Sequence, residues 1–177
     1  MTNAAPSEIR LYRAPDLPDG FRDLLLAVHA DAYADQADDP FIQRFPWFVD
    51  HWTTRPGFTC AVAYDDQGEP TGFAYGAPLP YGREWWRDHL PQEPENPSTY
   101  GLSELMVRPR WRKTGTSTAL HQALLANRPE HLAVLCVDPD HPRVQALYES
   151  WGYRPIGIRQ PFPDSPRYAV MLRHLPL

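Results

Sequence analysis

Apolar and polar positions along the 177 residues switch repeatedly between a period of two and a period near 3.6, and the switches cut the chain into strands and helices. Residues 8–13 alternate as a strand does, and residues 16–19 read as a turn that supplies capping side chains to a helix over 21–34, where Leu24, Leu25, Val28 and Ala32 form the apolar stripe. Asp38-Asp39-Pro40 interrupts the pattern. Residues 41–52 then read as an aromatic-rich helix or a pair of short ones, and strands over 58–64 and 71–77 flank the hairpin turn Asp65-Asp66-Gln67-Gly68. Further on, Leu105-Met106-Val107 is a strand that feeds a basic turn and a helix carrying Ala119, Leu120, Ala123 and Leu124, with Pro129 marking its end. A short buried strand at 131–137, a proline-rich loop at 138–142 and a helix over 143–151 follow, the last closed by Gly152.

The turn Arg112-Lys113-Thr114-Gly115-Thr116-Ser117 carries the most specific chemistry. Main-chain N–H groups at a helix start have no partner inside the helix, and the helix dipole leaves partial positive charge there, so a pyrophosphate can be held by backbone alone. Arg112 and Lys113 add charge, and Gly115 lets the main chain approach a ligand where a Cβ would obstruct it. A solvated loop ahead of a well-capped helix is the plain alternative.

The order strand, phosphate turn, helix, strand, loop, helix resembles the GNAT acyltransferase superfamily. The matching residues are Val107 and Pro109 with Arg112-x-x-Gly115-x-Ser117, then Arg143 and Leu147-Tyr148-Glu149-x-x-Gly152-Tyr153. The likeness is strongest over residues 98–157. Where the family's glycine-rich turn commonly ends in Gly or Ala this chain has Ser117, and where the family often carries Asn and Ala ahead of the tyrosine it has His141 and Val144.

The resemblance implies an α/β fold with a mixed, mostly antiparallel sheet of six to seven strands flanked by about four helices. It implies acetyl-CoA as cosubstrate, held by Leu105, Met106, Val107, Arg112, Lys113, Thr114, Gly115, Thr116, Ser117, His141 and Arg143, and transfer of the acetyl group to a primary amine. It places Tyr148 beside the CoA sulfur, where its phenol can return a proton to the leaving thiolate. Val144, Leu147, Tyr148 and Trp151 lie at i, i+3, i+4 and i+7, so the stripe is expected to face inward and Tyr148 reads equally as core. An amine near pKa 10.4 must lose a proton before it attacks, and Glu104, inside the strand beside the expected thioester, is the candidate base; a salt-bridged or solvent-facing strand glutamate is the other reading. The front half shapes the acceptor side, with Phe41, Tyr75, Trp85 and Trp86 as candidate substrate contacts. Trp85 and Trp86 lie in the long proline-rich connection between 78 and 97, which they either anchor to the core or furnish with a lid.

Length and composition fit one domain, read as an acceptor-side half (1–78), a tryptophan-bearing insertion (79–98) and an acyl-CoA-binding half (99–177). Lys113 is the only lysine and the formal net charge is −5, which removes the broad basic surface that nucleic acid requires. The seven histidines and two cysteines show no metal-ligand spacing, so no metal is expected, and Cys60 and Cys136 read as small buried hydrophobes. Residues 1–15 lack the pattern of a secretory leader and no apolar run is long enough to span a bilayer, so a cytoplasmic, membrane-free location is expected. The expected acceptor is a small-molecule amine, because an aromatic-rich front half favours an enclosed pocket. A protein lysine or N-terminal amine is the enzymatic alternative and a non-catalytic acyl-CoA-binding module the other; a homodimer is expected by family analogy alone.

Overall fold

The computed structural model describes residues 5–177; residues 1–4, part of the stretch read for a leader, lie outside the described residues. The strands are β1 (Glu8–Arg13), β2 (Thr59–Tyr64), β3 (Pro70–Pro78), β4 (Thr99–Val107), β5 (Leu132–Val137), β6 (Arg154–Arg159) and β7 (Tyr168–His174). The helices are α1 (Phe21–Ala32), α2 (Phe45–Thr53), α3 (Thr116–Leu125) and α4 (Pro142–Ser150), with single 3-10 turns at Ala34–Gln36, Ile42–Arg44 and Pro109–Trp111. The seven strands run in the order β1-β2-β3-β4-β5-β7-β6, with β1–β2, β2–β3, β5–β7 and β6–β7 antiparallel and β4–β5 parallel. This is the mixed sheet with four α-helices that the family resemblance implies.

Two compact units share the chain, and the division falls inside β4. The first comprises Met1–Ala77 with Glu104–Asn127. Here β2 lies between β1 and β3, and all six of its residues, Thr-Cys-Ala-Val-Ala-Tyr, are buried, which is why its sequence does not alternate. α1 buries Phe21, Leu25, Val28 and Ala32 and packs on α2, while α3 packs on β2 and β1. That packing takes the helix after the basic turn into the N-terminal unit. Asp65 accepts the N–H groups of Gln67 and Glu69 at 2.8 and 2.9 Å, closing the β2–β3 hairpin as the turn chemistry requires. Gly72 in β3 is needed for a different reason, since a Cβ there would come within 2.7 Å of the Met106 carbonyl oxygen. The turn at 16–19 does not cap α1: the N-cap is Gly20, left-handed at φ 78°, with no side-chain cap. Its left-handed backbone turns the chain into the helix, so no aspartate is called on.

The second unit comprises Pro78–Ser103 with Arg128–Leu177. β7 pairs antiparallel with both β5 and β6, and a short parallel ladder joins Thr99–Gly101 of β4 to Leu132–Val134 of β5. The proline-rich connection is ordered by its own side chains. Trp86, 2% exposed, donates from its indole N–H to Thr99 Oγ1 at 2.8 Å, and the buried Glu84 carboxylate accepts the Gly82 N–H and pairs with Arg87. In α4 the apolar stripe does not all face inward: Tyr148 is 7% exposed, but Val144 and Leu147 are 44% and 39% exposed. A helix of nine residues has only one such position covered by the unit, and the rest of its apolar face is open. Gly152, at φ 92°, ends the helix as expected, with the Tyr153 N–H returning to the Tyr148 carbonyl at 3.1 Å.

Candidate active site

The candidate site in the first unit starts where β4 ends. The Arg108 N–H extends the strand ladder to the Thr71 carbonyl at 2.8 Å, and its side chain clamps outward, donating to the Pro70 carbonyl at 2.8 Å and to Asp31 Oδ2 of α1 at 3.2 Å. A single turn over Pro109–Trp111 then reverses the chain. Arg112 donates from Nη2 to the Ala32 carbonyl at 3.1 Å, so the foot of the basic turn is fastened to the last residue of α1.

Between that fastening and α3 the backbone takes two left-handed residues, Lys113 at φ 61° and Gly115 at φ 84°. Gly115 is the N-cap of α3 and offers no side chain to the helix start. Thr114 does not act as a cap either, since its hydroxyl is engaged with the Trp111 carbonyl at 2.6 Å and with Thr116 Oγ1 at 2.7 Å. Consequently none of the main-chain N–H groups from Lys113 to Thr118 donates to another described residue, and the first bond of the helix is the Ala119 N–H to the Gly115 carbonyl at 3.0 Å. A Cβ built on Gly115 meets nothing within 4 Å. Six neighbouring donors with open space beside them suit a pyrophosphate, and the residues present therefore fit the CoA diphosphate.

Glu104 lies three residues before the strand end, part-buried in β4. Burial alone lifts its carboxyl pKa to about 8, because the anion loses water that nothing else replaces. Tyr33, just past α1, is near enough to feel both Glu104 and Arg112: burial first, and then the Glu104 charge, raise its phenol to about 12, with Arg112 opposing the shift. A carboxyl titrating near 8 is what a base for an alkylammonium requires.

Tyr33 also lines a cleft of about 270 Å³ between α1 and the Ile42–Arg44 turn, together with Leu26, His29, Ala30, Ile42 and Gln43. The His29 ring is stacked on Phe45 at 3.9 Å and lies 4.9 Å from Tyr33. Burial holds its imidazole down at about 4, so it is neutral at physiological pH.

The sequence candidates are shared between the two units. Glu104, Leu105, Met106, Val107 and the turn from Arg112 to Ser117 belong to the first unit, whereas Tyr148, His141 and Arg143 belong to the second. Tyr148 packs edge-on against Trp151 and Tyr153 at 5.3 and 5.8 Å, and His141 and Arg143 are exposed at the start of α4. Among the acceptor-side candidates, Tyr75 is fully buried among Phe58, Phe73 and Trp52, and Trp86 is equally enclosed. Neither presents surface to a ligand, because burying these large rings fills the cores of their own units. Phe41 and Trp85 keep part of their surface; Phe41 packs edge-on against Phe48, and the Arg159 guanidinium lies over Trp85. Tyr33 and His29 escape a reading of the sequence, since no local motif marks them and only the folded chain brings Tyr33 within the field of Glu104.

A family model described as the Acetyltransferase (GNAT) family matches residues 21–153. The chain is similar in fold to the ribosomal-protein-S18-alanine N-acetyltransferase from Escherichia coli, with a TM-score of 0.65 at 17% identity over 96% of each chain. It is similar to a histone acetyltransferase HPA2 and related acetyltransferase from Corynebacterium glutamicum, with a TM-score of 0.65 at 19% identity over 93% of this chain and 95% of that one. A GNAT-family acetyltransferase from Bacillus cereus gives a TM-score of 0.63 at 13% identity, over 95% of this chain and 98% of the other. No curated protein matches the chain.

Proposed function

We propose that this chain, which belongs to the GNAT acetyltransferase family, acetylates the primary amine of a small molecule with acetyl-CoA as acyl donor. The family generally uses acetyl-CoA, and no helix among the described residues is long and apolar enough to cross a membrane. The observation that carries the reading is the row of unbonded amides from Lys113 to Thr118 in the same unit as a part-buried carboxyl titrating near 8.

Acetyl-CoA, when bound, supplies an acyl carbon activated by a thiolate leaving group. The amides at the start of α3, with Arg112 and Lys113, hold its diphosphate. Glu104 takes the proton of the incoming ammonium, directly or through water, so that the free amine nitrogen bonds to the acyl carbon as the carbon–sulfur bond breaks. A strand N–H between Leu105 and Val107 donates to the carbonyl oxygen as it gains charge, an interaction worth about 3 kcal/mol of barrier. Tyr148 returns a proton to the sulfur. A small acceptor is favoured by the size of the Tyr33 cleft, which lies below the range of drug-sized pockets.

Incubation with labelled acetyl-CoA, a panel of small amines, and lysine-bearing and free-N-terminal peptides tests the assignment. Label on small amines together with thiol release is the expected result. Label confined to peptides transfers the activity to a protein substrate, and CoA binding with no thiol release on any acceptor makes the chain a binding module.

A further inference from the structure

We propose that the open edge of β1 is the interface between two copies of this chain, which pair antiparallel about a two-fold axis at Leu11 and join their sheets. The inference stands apart from the acetyltransferase reading, since β1 carries none of the residues assigned to it.

Backbone parity fixes what the edge offers. β1 is the terminal strand of the sheet and pairs with β2 from Glu8↔Tyr64 to Arg13↔Thr59 without a register shift. The Ala14 N–H continues that ladder to the Phe58 carbonyl at 3.2 Å. Antiparallel bonding repeats at every second residue, so Tyr12, Arg10 and Glu8 also turn their backbone groups to β2, and those of Ile9, Leu11 and Arg13 turn outward. Among the described residues nothing on the open side bonds to these three.

Sheets ordinarily blunt such an edge. The strand at the other end, β6, does so with Pro155 and a register shift between Pro155 and Gly157. β1 has no proline, lysine or shift, and Glu8 and Arg10 engage one another, Nε donating to Oε1 at 2.6 Å. Leu11 stands 40% exposed in the middle of it. An apolar side chain flanked by outward amides is a template for another strand.

The same parity selects the occupant. A second copy laid antiparallel with Leu11 opposite Leu11 sets Ile9 opposite Arg13 and Arg13 opposite Ile9, so each outward donor meets an outward acceptor. Arg10 then falls beside Tyr12 and Glu8 beside Ala14, leaving no like charges face to face, and the two exposed leucines cover one another. Centring on Arg10 would oppose two guanidiniums and call on amides that β2 already holds. Centring on Arg13 would oppose two guanidiniums again and set Leu11 against Pro15, which has no N–H. Centring on Ile9 would run Leu11 and Arg13 past the start of the second strand, to Ser7 and Ala5.

Sedimentation velocity on the full chain over a range of concentrations provides the test. The wild type is expected to reach twice the 20.3 kDa of one chain. Leu11→Pro removes only an outward N–H, so it is expected to sediment as one copy with an unchanged circular dichroism spectrum. Leu11→Lys opposes two ammonium groups at the axis and is expected to weaken the dimer about tenfold or more, which decides the matter if Leu11→Pro loses its fold. The Cα atoms of a hydrogen-bonded antiparallel pair lie roughly 5.5 Å apart, within disulfide reach, so Leu11→Cys is expected to yield a covalent dimer on mild oxidation. Arg10→Cys, whose thiol would meet Tyr12, is expected to yield none beyond the wild-type background. A wild type that stays at one copy overturns the proposal, whatever other strand the edge accepts. A dimer that Leu11→Lys leaves intact and Leu11→Cys does not cross-link is built on another surface and overturns it equally.

Discussion

Arg112 and Ala32 lie 80 residues apart in sequence and meet through a single hydrogen bond, the arginine Nη2 donating to the alanine carbonyl at 3.1 Å. That carbonyl belongs to the last turn of α1, where acceptors have no helical partner and partial negative charge accumulates. The bond therefore satisfies an orphan acceptor and holds the start of the basic turn against the helix that leads to Tyr33.

Replacing Arg112 by Ala is expected to lower stability by about 1 kcal/mol, the ordinary worth of such a bond. It should also weaken CoA binding several-fold, through loss of both the charge and the anchored turn. Chemical denaturation and calorimetry with CoA report the two effects separately. Arg112→Lys should recover the charge but not the anchored geometry, restoring affinity only in part.

Gly115 has a left-handed φ of 84° with open space where a Cβ would stand. Gly115→Ala should accordingly cost about 1 kcal/mol of backbone strain without a clash and retain CoA binding. Gly115→Glu places a carboxylate among the unbonded amides and is expected to abolish binding in calorimetry. Equal CoA affinity for Gly115→Glu and wild type would show that the diphosphate sits elsewhere.

For Glu104 the sign follows from its raised pKa, lifted by burial from the ordinary carboxylate range to about 8. Between those values the folded state binds more proton than the unfolded chain, so the contribution of this group to stability falls as pH rises through the window. Glu104→Gln should remove that slope and stabilise the protein relative to wild type above pH 8, as thermal melts across pH will report. Turnover by the variant should fall by about 10² or more, and the inflection near 8 in the wild-type kcat/KM profile should disappear while the rise due to the amine itself persists.

Trp86 fixes the long connection through its indole bond to Thr99 Oγ1. Trp86→Phe keeps the ring and loses the donor, an expected loss of about 1 kcal/mol. Trp86→Ala adds a core cavity, with an expected loss of about 3–5 kcal/mol in denaturant titration.

Tyr148→Phe keeps the ring packing against Trp151 and Tyr153 and removes only the hydroxyl. Unchanged CoA affinity with kcat lowered about 10²-fold is the expected outcome. Equal kcat for the two proteins, measured by thiol release, removes this phenol from the proton path.

Much of the fold was legible because its signals are local. The turn from Arg112 to Ser117 could be read as an anion seat because the unpaired amides, the glycine and the helix start all lie within a few consecutive residues. The hairpin at Asp65 and the helix stop at Gly152 were legible for the same reason. Where a side chain points was less legible. Periodicity marked Val144, Leu147 and Tyr148 as one face, but only the packing of the second unit decided that Tyr148 alone of the three is covered. Aromatic composition likewise marked Tyr75 and Trp86 as large rings without saying that both would be enclosed.

By itself, then, the sequence determined the order of strands and helices as far as α4, the glycine turn ahead of α3 and the carboxyl inside β4, since each follows from spacing within one segment. The tertiary structure alone decided that Tyr33 and His29 line a cleft and that Tyr33 lies within the field of Glu104. Tyr33 and Glu104 are far apart in the chain, and the desolvation that moves the Glu104 and His29 pKa values depends on what the fold packs around them. Burial and the closure of distant segments are properties of the packed chain, which no local pattern encodes.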